Sequence, residues 1–276
     1  MLAIDATAIP IGAGDIAVAA VLLLIHGVLS IALGLGVGRQ VLVAAVRMVL
    51  QLLLVGFVLV ALFERMSPWL TGLTAVVMIL FAGREVSARQ DRRLAGPWAY
   101  ALGTGAMLFA AFAVTLFALT TAVRPEPWYD PRYAIPLLGM VLGNTLNGIS
   151  LGLHALTVGL VRERSSVEAL LCLGATRWEA TRPVVVDALR TGLMPIVNAM
   201  AATGLVALPG MMTGQILAGA EPLMAVRYQM LIMFLIAGGT ALGATAAVFG
   251  GVLRLTDDRH RLRLDRLTPS RKSSPR

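Results

Sequence analysis

Seven apolar stretches, most of them as long as a helix that crosses a bilayer, divide this chain. They cover residues 16–37, 42–63, 69–82, 98–123, 134–157, 193–212 and 223–253. A hydrocarbon core of roughly 30 Å takes about 20 residues of helix. The third stretch is short, so its helix is expected to continue through Arg84 and Glu85. The seventh is long, which calls for tilt or an interfacial first turn. Hydrophobic residues make up 58% of the 276 and charged residues 14%, too few charges to cover a water-facing surface. The expected fold is all-α, a polytopic integral membrane protein. Residues 1–253 are read as the membrane domain and 254–276 as a basic tail.

Basic residues set the orientation. The segments after stretches one, three, five and seven hold 18 of them, the opposite side holds Arg65, Arg124, Arg132 and Arg227, and Arg47 sits inside stretch two. The N-terminus is therefore expected outside and the C-terminus in the cytoplasm. The formal net charge of +8 does not point to nucleic acid, because the charge is spread loop by loop rather than gathered on one soluble face. The tail alternates Arg, Asp and Leu before ending SRKSSPR. It is read as either a short surface helix on anionic lipid or a disordered end.

Several classes are excluded. One cysteine, Cys172, cannot build a disulfide framework or a multi-cysteine metal site. The first 15 residues carry no Lys or Arg, so they do not read as a secretory signal. No repeat of 20–50 residues is present, and no Ser–His–Asp set, HExxH or close carboxylate pair lies within the stretches. An enzyme is poorly supported.

The segment 161–192 is polar yet patterned. Ser165 or Ser166 can cap a first short helix, with Glu168 near its positive end. Gly174 can stop that helix, and Thr176 with Glu179 three residues on forms a capping box for the next. A folded helix–turn–helix beneath the membrane is expected, and such an element suits docking better than catalysis.

Glu168-Ala169 followed by Gly174 resembles the coupling loop of ATP-binding-cassette permeases, with two departures. Leu170 replaces the second alanine, and Asp187 stands where a proline is usual. The stretches QLLLVGFVL from Gln51, PLLGMVLGNTLNGISLGL from Pro136 and LVALPGMMTGQILAG from Leu205 are similar to the Fet-type iron-export permeases, whose plant relatives act in aluminium tolerance. That resemblance implies the permease subunit of a transporter, with Glu168, Ala169, Gly174, Ala175 and Thr176 at the contact with a separate ATPase. The complex would hold two permeases and two ATPases in a bacterial inner membrane. ATP and Mg would bind the partner, and this chain has no GxxxxGK[ST] loop.

Polar residues inside a bilayer are costly and mark function or helix contacts. Asn144, Asn147 and His154 share one helix face, with Gly139, Gly143 and Gly148 among them. They serve either interhelical hydrogen bonds or the lining of a path. Arg47 reads as snorkelling to the headgroups, Glu85 and Arg89 as a local i, i+4 pair, and His26 and His260 as isolated. Pro209-Gly210 breaks stretch six, making Met211, Met212, Thr213 and Gln215 a candidate outer gate. The methionines read as packing rather than as ligands for soft cations. With Ser150, these side chains offer neutral oxygens and one imidazole to a cation. A secondary transporter would need a central carboxylate, which the stretches lack. A membrane scaffold or receptor would leave the coupling segment without an ATPase.

Overall fold

A computed structural model describes residues 12–269. Among them seven helices are long and apolar enough to span a membrane, and there is no sheet. These are α1 (Ala13–Ala32), α2 (Gly38–Arg65), α3 (Pro68–Arg89), α4 (Trp98–Val123), α5 (Pro131–Arg162), α7 (Arg177–Ala202) and α9 (Pro222–Leu255). Two short helices complete the set, α6 (Arg164–Cys172) and α8 (Gly210–Leu217). Helix α4 includes two π-helical stretches, Leu108–Phe112 and Ala118–Val123.

Helix α5 is the axis of the bundle, and its largest interfaces are with α7 and α9. Lipid tails are as apolar as leucine, so close packing rather than water exclusion must hold these helices together. Small residues permit it. A Cβ added at Gly192 of α7 would lie 2.8 Å from the Gly148 carbonyl of α5, and one at Gly243 of α9 would lie 2.5 Å from Thr145 Cγ2. Met107, Ile149, Leu156, Leu160, Val248 and Val252 fill the space between, all fully buried. The α1–α2 hairpin is different. Leu62 is the one buried residue on α2, and the apolar side chains of α1 lie almost wholly exposed. These two helices stand at the rim, facing lipid or another chain.

Three expectations about the helices from residue 164 to 212 need correction. Stretch six was placed at residues 193–212 with its break at Pro209, but α7 ends at Ala202. Thr203 is extended and Gly204 sits at φ +98°, so the chain leaves the helix six residues before Pro209, which instead precedes α8. The second helix of the polar segment is not a short separate one. It is the first half of α7, because Ala180, Val184, Val185 and Ala188 keep a buried face through Arg182, Asp187 and Arg190. Neither Ser165 nor Ser166 caps α6, whose N-cap is Glu163, one residue beyond the end of α5.

The tail is neither a surface helix nor a disordered end over its described part. Helix α9 runs to Leu255, and residues 256–268 fold back as a strap. Ala95 N donates to Arg266 O at 2.7 Å, Thr268 N to Arg93 O at 2.8 Å, and Arg263 N to Leu255 O at 2.8 Å. Residues 270–276 lie outside the described residues. The strap ties the end of α9 to the α3–α4 connection, on the arginine-rich side.

Candidate coupling element and transport path

The elbow α5–α6–α7 is built by two backbone devices. Gly174 takes φ +92°, a conformation that costs glycine little. Its N–H donates to Leu171 O at 3.1 Å, and that of Ala175 to Leu170 O at 3.0 Å, closing α6. Thr176 then caps α7. Its hydroxyl accepts from Glu179 N at 3.3 Å while the Glu179 carboxylate accepts from Thr176 N at 2.8 Å. Helix α6 is anchored by the buried Val167 and leaves Leu170, Cys172 and Leu173 outward, with Leu173 84% exposed. Glu168 is held by Arg164 on the same helix at 2.8 Å. The elbow is closed by hydrogen bonds at both turns and its apolar tip is bare.

The elbow is continuous with the bundle core. Helix α7 packs along α5, and Trp178 in its first turn stacks on Phe249 of α9 with ring centres 5.2 Å apart. The tail also reaches the elbow: His260 Nδ1 accepts from Arg177 N at 3.1 Å, and Asp258 lies 3.5 Å from the Arg177 guanidinium. His260 is therefore not isolated, as the sequence alone suggested. It accepts a bond from the donor at the first helical position of α7.

The path candidates fall into two groups. Asn144 is half-buried on α5 and turns its amide back to Met140 O at 2.9 Å. Asn147 is exposed, and its Oδ1 accepts from Arg89 Nη1 at 2.7 Å. Ser150 is buried, its carbonyl accepting from Gln90 Nε2 at 3.0 Å, and His154 is half-buried. Met211, Met212, Thr213 and Gln215 lie on α8, which packs on α9 on the arginine-poor side. The Gln215 Oε1 is buried without a hydrogen-bond partner. Asn144 sits roughly 20 Å along α5 from its arginine-poor end, at 1.5 Å per residue. The two groups stand at different depths, and any path joining them must run along the helices.

Sequence reasoning missed one feature. Arg47 of α2 does not snorkel but donates to Glu85 of α3 at 2.8 Å, and Arg89 approaches the same carboxylate at 3.5 Å before reaching Asn147. Counting from the arginine-poor ends of their helices, Arg47, Glu85 and Asn147 lie roughly 24–27 Å along. A polar chain thus joins α2, α3 and α5 at one depth. Charged groups facing hydrocarbon there would cost several kcal/mol, so this surface needs a polar cover. Among the described residues no three His, Cys, Asp or Glu side chains stand close enough to hold a metal ion. The candidate side chains on α5 itself are neutral, and the Oδ1 of Asn147 is already engaged by Arg89.

A family model described as "Uncharacterised protein family (UPF0014)" matches residues 13–255. The chain belongs to that family. A UPF0014 membrane protein of Synechocystis sp. is 39% identical over 232 residues, covering 82% of this chain and 86% of the relative. The Arabidopsis thaliana protein ALUMINUM SENSITIVE 3 is 31% identical over 84% of this chain and 83% of its own length. The Escherichia coli protein named "Probable iron export permease protein FetB" is 28% identical over 83% of this chain and 86% of its own. No solved structure matches. The family match spans all seven long apolar helices, and its relatives are named membrane proteins, so this is a multi-pass membrane protein with one relative named as a permease.

Proposed function

We propose that this UPF0014 chain is the permease subunit of an ATP-binding-cassette exporter for iron or a related metal. The observation that carries the reading is the elbow: a capped helix pair with a bare apolar tip, joined without a flexible linker to the two central helices. An ATPase gripping Leu170 and Leu173 would move α7 against α5 when ATP closes it. The neighbouring residues Glu168, Ala169, Gly174, Ala175 and Thr176 form the contact. The chain itself catalyses nothing, and ATP and Mg belong to the partner subunit. The printed name of the Escherichia coli relative supports the metal cargo.

The transporter works as a pair of permeases with two ATPases in the bacterial inner membrane. The exposed face of α5 carrying Gly143, Asn147 and Leu151 is covered by the second copy, and the path runs along it. Asn144, Asn147, Ser150 and His154 provide weak neutral ligands on one leg, and Met211, Met212, Thr213 and Gln215 line the outer leg. Weak ligands suit a pump that must release its load.

A double change, Asn144→Leu with Asn147→Leu, tests the path. It should abolish metal resistance in cells lacking their own exporter while ATP hydrolysis by the assembled complex persists. Unchanged resistance at normal expression removes these amides from the path. Reporter fusions test the orientation: one at the C-terminus should be active in the cytoplasm alone and one after Pro125 outside alone. Activity of both on one side contradicts the model.

A further inference from the structure

A groove of about 560 Å³ opens between α4 and α9, away from the elbow and the polar chain. Its walls are apolar: Ala101, Leu102, Gly105 and Phe109 from α4, with Ala246 and Gly250 from α9. At its arginine-rich end the character changes. Arg254 stacks its guanidinium over Trp98, 4.4 Å from the ring centre, and Arg266 is brought beside it by the tail strap, donating to Arg254 O at 2.8 Å. The Nε of Arg254 is buried without an acceptor. Among the described residues neither arginine is given an ion pair, and the nearby Asp265 is taken by Arg263 through two bonds at 2.9 and 2.8 Å. Positive charge is thus concentrated at one end of a greasy slot, where Asp265 reaches Arg266 through its field alone and is bonded to Arg263.

The groove's length fits one leaflet. From Trp98 to Phe109 is roughly 16 Å of helix, about half of a hydrocarbon core of roughly 30 Å. Tryptophan settles at the headgroup level, and arginine binds phosphate through paired parallel hydrogen bonds. We infer that this groove is a binding site for an anionic phospholipid of the leaflet on the arginine-rich side, its phosphate on Arg254 and Arg266 and an acyl chain between α4 and α9. The occupant gives Arg254 and Arg266 a bonded counter-charge, which Asp265, taken by Arg263, does not supply.

Brominated lipids test this in nanodiscs containing the full chain, with Trp98 emission taken as the difference from Trp98→Phe. Brominated phosphatidylglycerol should quench Trp98 at much lower mole fraction than brominated phosphatidylcholine. Each arginine near an anionic surface is worth roughly a factor of five in preference, so a tenfold or greater difference is expected. Arg254→Gln with Arg266→Gln should bring the two lipids level. Gly105→Leu keeps both arginines and fills the slot, since nothing lies within 4 Å of its added Cβ. It should abolish the preference too, and it remains informative if the double variant fails to fold. Arg259→Gln, an exposed tail change, should leave the preference intact. Equal quenching of the parent chain by both lipids, or an undiminished preference in Gly105→Leu, overturns the site.

Discussion

Replacing Gly192 with alanine adds one methyl group where α7 and α5 meet backbone to backbone. That carbon would sit 2.8 Å from the Gly148 carbonyl and 3.3 Å from both Cα and N of Gly152. These are backbone atoms of α5, so no side chain can swing aside. Ordinary contact begins near 3.4 Å, and the two helices must part by roughly half an ångström. A gap of that order forfeits about a quarter of the dispersion energy of each contact it opens. The opened contacts include Gly152 against Ala188 and Gly159 against Val184. Overpacking of this kind costs about 1–3 kcal/mol. At about 2–4 °C per kcal/mol the melting temperature falls by several degrees. Thermal unfolding in a mild detergent measures it, with Gly238→Ala on α9 as the control because nothing lies within 4 Å of its Cβ. If Gly192→Ala melts with the parent chain, the packing of α5 on α7 is wrong.

Three further outcomes follow from named contacts. Glu85→Gln should destabilise the chain and Arg47→Glu with Glu85→Arg should recover part of the loss, giving a coupling of about 0.5–1 kcal/mol in a double-mutant cycle; zero coupling removes the pair. Thr176→Ala should cost about 1 kcal/mol at the start of α7, seen as roughly fivefold faster hydrogen exchange in residues 177–180 with α9 unchanged; equal rates would show that the cap is idle. Asp257 is held down to about 2, first by the Arg261 backbone N–H and then by the Arg261 side chain and the Arg259 N–H. Its folded value is depressed, so the turn's stabilisation is full above the ordinary carboxylate value near 4 and is lost as pH falls toward about 2. Protection of residues 259–263 in hydrogen exchange, corrected for intrinsic rates, should fade over that window, and flat protection would contradict the assignment.

Most spans were legible because they are long apolar runs, and α4 begins and ends where the run does, at Trp98 and Val123. The elbow was legible because glycine at a helix end and a Thr–x–x–Glu box act through local backbone donors. What was not legible is long-range or diluted. Arg182, Asp187 and Arg190 lower the hydropathy of α7 enough to hide its continuity, although every third or fourth residue there is buried. Arg47 and Glu85 are 38 residues apart, and neither carries a local pattern that names the other. The strap pairs Arg93 with Thr268 across 175 residues through backbone atoms and the Thr268 hydroxyl, and no local pattern joins two positions so far apart. The candidate path was half visible: the face of α5 follows from helical spacing, but the engagement of Asn147 by Arg89 needs the packing of α3.

The elbow is also where the central claim is most directly measured, because the chain's single cysteine, Cys172, is exposed there at the end of α6. A photo-crosslinker attached to it in native membranes needs no substitution in the protein. The account predicts a crosslinked partner whose peptides contain a nucleotide-binding GxxxxGK[ST] loop, with a yield that changes when ATP is added. Crosslinks to lipid alone, or to proteins without such a loop, would contradict it.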